Sequence, residues 1–131
     1  MNTNLYNNAI DFIDKKKYAS AVKSLIQLLE GIELTDYMLL DSDKDERDKV
    51  ISTLMTLGTL YKSFLEEYIQ SNTKSNLYSD KLFYKGVECF NNILLLDVDN
   101  KDSIKQMVSL YTQMCYLVQD KYELCTKYLL E

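Results

Sequence analysis

The side chains that most often perform catalysis are scarce in this sequence. It contains no histidine, which is the commonest general base and metal ligand in proteins. Its three cysteines, Cys89, Cys115 and Cys125, form no Cys-x-x-Cys pair, and each lies in an apolar context. A serine or cysteine nucleophile would need an unusual base, and no glycine-rich segment suggests a phosphate-binding loop. The sequence therefore predicts a non-enzymatic protein without a cofactor, whose buried, reduced thiols are typical of the cytoplasm.

Aspartates at alternate positions, Asp41, Asp43 and Asp45, resemble the start of a calcium-binding loop. Such a loop has glycine at its sixth position and a bidentate glutamate at its twelfth, where this chain has Glu46 and Ser52. Without the sharp turn and the last ligand, the oxygen cage does not close. We therefore expect a solvated acidic loop and no metal site.

The charge of the chain argues against nucleic acid as a partner. The formal net charge is -5 and the sequence pI is about 4.8, whereas nucleic-acid-binding domains usually present a basic face to the phosphates. The one concentrated basic run, residues 15–17, is interpreted as a solvated turn between helices. No uninterrupted apolar run in the sequence, residues 93–96 included, approaches the ~20 residues that a membrane-spanning helix requires. Another protein is the expected partner.

The elements that position these side chains are predicted to be helices alone. The chain has only three glycines and no proline, although strand-rich folds need turn residues every ~8–12 residues. Apolar residues recur at three- and four-residue spacing, which predicts an all-α single domain of about six helices. A short helical turn is expected at about 34–40. The predicted helices span about 4–14, 18–29, 46–70, 79–96, 102–118 and 120–130.

Small and aromatic residues recur at fixed spacing within these helices. Leu57-Gly58 is followed by Tyr61 in the third predicted helix, and Gly86 and Phe90 lie in the fourth. This pattern resembles the tetratricopeptide repeat, a helix pair in which small residues let two backbones approach and aromatic residues fill the space beside them. Leucine at Gly58 should then overpack the crossing, whereas alanine should be tolerated or even favourable.

The resemblance covers nearly the whole chain and implies a short right-handed solenoid, with an irregular helical bundle as the alternative. The first pair shows the pattern through Ala9, Phe12 and Ala21, the third pair matches it more weakly, and the family's tryptophan and inter-repeat proline are missing. The implied helix pairs span about 4–30, 47–96 and 101–131.

In this family the first helices of successive repeats line a concave groove that holds a peptide or a helix of a partner. Projected onto this chain, the groove is apolar at one end and polar, with two lysines, at the other. The lysine and asparagine clamp with which some members hold acidic chaperone tails is not matched. The expected groove residues are Tyr6, Ile10, Ile13 and Asp14 from the first helix, Met55, Thr59, Lys62 and Ser63 from the third, and Lys105, Ser109, Thr112 and Gln113 from the fifth.

Tyrosine is unusually common, with 11 copies, and it is enriched at binding surfaces because it is amphipathic. Tyr6, Ile10 and Ile13 fall on the helix face opposite the expected core and should form an apolar surface patch. The alternative is that residues 32–40 fold back and cover this patch. Four other tyrosines are expected in the core: Tyr18, Tyr61, Tyr111 and Tyr122.

Three functions agree with these features. The first is a non-catalytic adaptor that binds a peptide or helix of another protein in the partly apolar groove. The second is a structural subunit that buries its faces in a larger complex or a homodimer. The third is a small acidic chaperone of the same repeat class. The oligomeric state of the purified chain separates the first from the second.

Overall fold

The computed structural model describes the backbone of residues 2–38 and 43–130 and the side chains of residues 2–38 and 43–117. This part of the chain contains helices and no strand, so the all-α prediction is confirmed. No helix in the same part is long and apolar enough to cross a membrane. A 3-10 turn, Leu34–Tyr37, precedes the third of the α-helices. The α-helices are α1 (Thr3–Asp14), α2 (Tyr18–Glu30), α3 (Lys44–Ser71), α4 (Leu77–Leu96) and α5 (Lys101–Leu130).

Side chains just before α1, α3, α4 and α5 accept hydrogen bonds from the free amides of the first turn, which stabilises the starts of these helices, whereas α2 begins without a side-chain cap. The Asp43 carboxylate accepts from the backbone amides of Asp45 and Glu46, so α3 begins inside the stretch expected to be a loop. Asn76 caps α4 and accepts from the Ser79 amide at 2.9 Å, while the Ser79 hydroxyl accepts from the Asn76 amide at 2.8 Å. Ser79 is the third residue of the helix and completes a capping box with Asn76.

The first four α-helices form two antiparallel hairpins, α1 with α2 and α3 with α4. In the second hairpin, the Gly58 backbone faces Phe90 and the Gly86 backbone faces Tyr61. A Cβ atom added at Gly58 would lie 2.7 Å from Cζ of Phe90, which is closer than packed carbon atoms approach. The prediction that Gly58 lies at a helix crossing is therefore confirmed, and glycine is needed there for close approach.

The fifth helix packs on α4 and runs parallel to α3. A Cβ atom added at Gly86 would lie 2.8 Å from Cδ1 of Leu110, so α5 also uses a glycine for close contact. The Ser103 hydroxyl donates to the Phe90 carbonyl at 2.7 Å and fixes the start of α5 against the middle of α4. One hydrophobic core joins all five helices among the described side chains.

The predicted break near Gln119 is wrong, because α5 is one continuous helix of 30 residues. Its sequence contains no glycine or proline, so nothing in the chain interrupts the helical hydrogen bonds. The break was inferred from the repeat pattern and not from a local stop signal. A single helix therefore replaces the expected third helix pair.

Because α5 continues as one helix, side chains that a separate sixth helix was expected to cover are exposed. Tyr61 is buried as predicted, but Tyr111 is 50 % exposed and meets Phe83 edge to face, with the ring centroids 5.2 Å apart. Cys89 is buried as expected, whereas Cys115 is exposed on α5. The prediction that Tyr18 lies in the core is also wrong, because Tyr18 is 39 % exposed at the first position of α2. Asp41 and the side chains of Tyr122 and Cys125 lie outside the described residues.

Candidate functional site

The apolar end of the predicted groove lies between α1 and α3. The Tyr6 hydroxyl is half-buried and lies 3.5 Å from the Ser52 hydroxyl, which is a long hydrogen bond between the two helices. A cavity of about 300 Å³ opens beside this pair and is also lined by Thr3, Asp48 and Lys49. We refer to these five residues as the α1–α3 cleft.

The other apolar groove residues are less exposed than expected. Ile13 and Met55 are half-buried and pack against the hydrophobic core, whereas Ile10 is half-buried without belonging to that packing. Asp14 is exposed. The 3-10 turn contacts α4, and its neighbour Ile32 lines a cavity between α2 and α4, whereas residues 39 and 40 of the segment expected to cover the patch lie outside the described residues. The surface patch is therefore smaller than predicted, with Tyr6 and Ile10 at its centre.

The polar end of the predicted groove lies between α3 and α5, where two of its residues belong to one hydrogen-bond network. Lys62 donates to the Gln106 side chain at 2.7 Å, and its Nζ lies 3.8 Å from Oε1 of Glu66. The Gln113 side-chain amide donates to Glu66 at 2.8 Å. The network joins the two helices, so Lys62 and Gln113 act first as structural bridges. Sequence reasoning missed Gln106 and Glu66 because it could not give the register of α5 against α3.

The remaining groove residues divide into those that bond to their own helix and those that do not. The Thr59 hydroxyl donates to the Met55 carbonyl at 2.7 Å, and the Thr112 hydroxyl donates to the Val108 carbonyl at 2.8 Å. Their donors are therefore already used, which is common for threonine within helices. Ser109 is half-buried, while Ser63 and Lys105 are exposed to solvent.

A second cleft lies between α2 and α4, with α3 as its floor, and the groove prediction did not include it. It consists of two cavities, of about 280 Å³ and 390 Å³, which share Ile26, Tyr61 and Lys85. We call these the inner chamber, beside the 3-10 turn, and the outer chamber, beside the start of α4. The outer chamber is lined by Ala19, Val22, Ile26, Tyr61, Phe64, Tyr78, Lys81, Leu82 and Lys85.

The inner chamber contains two acidic groups that remain protonated at neutral pH. The pKa of the Cys89 thiol is raised from 9.0 to about 12, mainly by burial and to a smaller extent by the nearby Glu88 carboxylate. Burial also raises the pKa of Tyr61 to about 12, with smaller contributions from Cys89 and Glu88. A protonated thiol is a poor nucleophile, so Cys89 is not an activated thiol. The remaining lining of the inner chamber is apolar except for Glu30, Lys85, Glu88 and Asn92.

The described residues contain no cluster of three or more acidic, cysteine or histidine side chains that could hold a metal ion. Comparison of the chain with known protein families, with curated proteins and with solved structures found no match. The function of the chain is therefore inferred from the two clefts. Both are open cavities between helices, and such surfaces bind ligands or partner side chains. The α2–α4 cleft is lined mostly by apolar side chains, and the α1–α3 cleft by Tyr6 together with polar and charged residues.

Proposed function

We propose that this chain is a non-catalytic, tetratricopeptide-like interaction module that binds a peptide or a helix of another protein. Two features of the fold support the repeat-like description. Glycines lie at close crossings, Gly58 between α3 and α4 and Gly86 between α4 and α5. The first helices α3 and α5 run side by side in the same direction, joined through Lys62 and Glu66. Parallel first helices are the arrangement that lines the groove in the repeat family.

The observation that carries the proposal is the α1–α3 cleft. Tyr6 reaches Ser52 across a gap that leaves about 300 Å³ open between two helices which otherwise make little contact. That volume suits one or two anchor side chains, and the exposed Asp48 and Lys49 at its rim supply polar groups of both signs. An amphipathic helix docks through a few apolar anchors placed in a groove of this kind.

A direct test is to select short peptides on the purified chain from a displayed random library and to measure their affinity for Tyr6→Ala. Loss of the tyrosine ring should weaken peptides seated in the α1–α3 cleft by about tenfold or more. Tyr84→Ala is the matched control, because Tyr84 is 68 % exposed on α4, away from this cleft. The proposal fails if no peptide is enriched, or if every selected peptide binds wild type and Tyr6→Ala equally.

A structural subunit is the second candidate, and exposed apolar side chains on α5 favour it. Ile104, Val108 and Tyr111 are 47 %, 59 % and 50 % exposed and follow one another at helical spacing. A larger assembly would bury this row, since exposed apolar patches often mark permanent interfaces. Sedimentation equilibrium separates the two candidates: a monomer of 15.3 kDa supports the adaptor, and an obligate dimer supports the subunit.

A further inference from the structure

The outer chamber of the α2–α4 cleft combines an apolar floor with an unusual local charge. Phe64 of the α3 floor and the flanking Val22 and Leu82 are apolar. The charged residues of the chamber's lining are Lys81 and Lys85 alone. No carboxylate belongs to this lining, although acidic residues outnumber basic ones by 20 to 15 in the whole chain. The chamber is therefore a small cationic area on an acidic protein.

The two lysines lie four residues apart on α4, so they project from the same face of the helix. Neither forms an ion pair with another group in the described part of the chain. Like charges at this spacing repel each other. Lys85 is half-buried, so its charge is screened less by salt than a fully exposed one. An anion placed between the two ammonium groups would relieve this repulsion and gain charge-assisted hydrogen bonds.

We propose that the outer chamber binds a peptide segment of a partner protein in which an acidic residue lies next to a large apolar one. The apolar side chain enters the cavity of about 390 Å³, over Val22 and Phe64, and the carboxylate reaches Lys81 and Lys85. The Tyr78 hydroxyl at the rim supplies a further donor. This surface is separate from the α1–α3 cleft, so the chain would bind two partners at once and act as an adaptor.

The chemistry of the chamber favours a peptide over other anions. Two lysines on a chain of net charge -5 neutralise too few phosphates to hold a nucleic acid. The cavity is at the lower end of the range for ligand pockets, about 300–1,000 Å³, which is sufficient for side chains. The inner chamber adjoins it and carries Glu30 and Glu88, so a bound segment would place its acidic part at the outer chamber only.

The experiment uses the same displayed library of short random peptides on the full chain and on Lys81→Glu/Lys85→Glu. Sequences enriched on wild type should include a class with Asp or Glu next to Leu, Ile or Phe. Those peptides should lose about tenfold or more in affinity for the double variant, and their wild-type affinity should fall as salt rises. Lys101→Glu is the matched control, because it reverses an exposed lysine at the start of α5 that belongs neither to the chamber nor to the predicted groove.

Circular dichroism of both lysine variants establishes that they fold, and Lys81→Gln/Lys85→Gln provides a milder substitution at the same sites. The inference is overturned if selected peptides are neutral or basic, or if acidic peptides bind the double variant as well as wild type. It is also overturned if sodium dodecanoate binds while no peptide is enriched, since the occupant would then be a fatty acid. Peptides that lose affinity for Tyr6→Ala but not for the lysine variant belong to the α1–α3 cleft and leave the outer chamber without support.

Discussion

At the scale of single residues, the contact of α3 with α4 combines a close backbone approach with buried acidic groups. Gly58 admits the Phe90 ring and the Cys89 side chain, and Cys89 lies near the buried Tyr61 hydroxyl. Cys89 and Tyr61 fit this buried site only while they are uncharged, and position 58 fits it only as glycine. The energetics of this region should therefore respond both to added volume and to added charge.

Alkaline pH should destabilise the protein through Cys89. Its pKa is raised from 9.0 to about 12 by folding, so the stabilising effect of the neutral thiol is complete below pH 9 and is lost as pH rises toward 12. Between these values the unfolded state releases a proton that the folded state retains, which lowers the free energy of unfolding by up to about 1.4 kcal/mol per pH unit. Urea unfolding between pH 8 and 10, in steps of about one unit, measures this slope.

The variant Cys89→Ala should lose most of that decline, because it has no thiol to ionise. Tyr61 contributes a second decline that begins only near its ordinary pKa of 10.0. Cys115→Ala is the control, since Cys115 is exposed and its variant should keep the wild-type slope. Equal slopes for wild type and Cys89→Ala would contradict the assignment of the thiol as a buried neutral group.

Substitution of Gly58 should destabilise the fold, even by alanine. Helix propensity alone predicts a gain from Gly58→Ala, but the new Cβ would lie 2.7 Å from Cζ of Phe90, whose side chain is fully buried. Overpacking of this kind costs about 1–3 kcal/mol, and Gly58→Leu should cost more. In Gly31→Ala, the control, the nearest atom is the Leu28 carbonyl oxygen at 4.0 Å, so no such loss is expected. The midpoints of urea unfolding measure these differences in stability. A Gly58→Ala protein as stable as wild type would mean that α3 and α4 can move apart at the crossing without loss of stability.

At the scale of elements, the connection between α1 and α2 contains a strained residue. Lys16 has a φ of 59°, in the left-handed region that side chains other than glycine and asparagine seldom adopt. The three-residue turn needs this conformation, because the Lys17 amide donates back to the Phe12 carbonyl at 2.7 Å and closes the end of α1. The basic run, residues 15–17, is thus a turn, as predicted from the sequence, and the backbone strain of this turn lies at Lys16.

Glycine should relieve this strain. Lys16→Gly is expected to stabilise the protein by about 0.5–1 kcal/mol, which is the left-handed penalty less the entropy that glycine adds to the unfolded chain. In Lys23→Gly, the matched control, an exposed residue inside α2 with an ordinary helical conformation is replaced, so only a loss of helix propensity and chain entropy remains. Thermal melts of the two variants should therefore shift in opposite directions. A lower melting temperature for Lys16→Gly would contradict the strain argument.

The helices differ in how well the sequence predicted them, and the reason is physical. The predicted limits of α1 to α4 lie within about two residues of those found, because the local signal of apolar periodicity outlines each helix, although neither Asp43, in the expected loop, nor Asn76 is identified as a cap from the sequence. The expected break at Gln119 had no such signal and came from the repeat pattern alone. Contacts such as that of Lys62 with Gln106 depend on the register between helices distant in sequence, which periodicity does not determine.

At the scale of the whole molecule, two clefts of different chemistry lie on different faces of the fold. The α1–α3 cleft could be predicted in part, because the helical period places Tyr6 on the face of α1 that lines it. The α2–α4 cleft could not, because its floor residues, Tyr61 and Phe64, are identified from sequence only as core. What separates a filled core from an open cleft is the distance between helices, and that distance depends on packing throughout the chain.

The central claim is that the face of α1 and α3 binds a partner and is not itself core. Ile10→Asp tests it most directly, because Ile10 is half-buried but outside the hydrophobic core packing. The measurement is the affinity of a selected peptide for this variant, taken together with the variant's melting curve. We predict a loss of about 1–2 kcal/mol or more in binding with a nearly unchanged melting temperature. If Ile10→Asp instead unfolds the protein, or binds every selected peptide as wild type does, this face is not a binding surface.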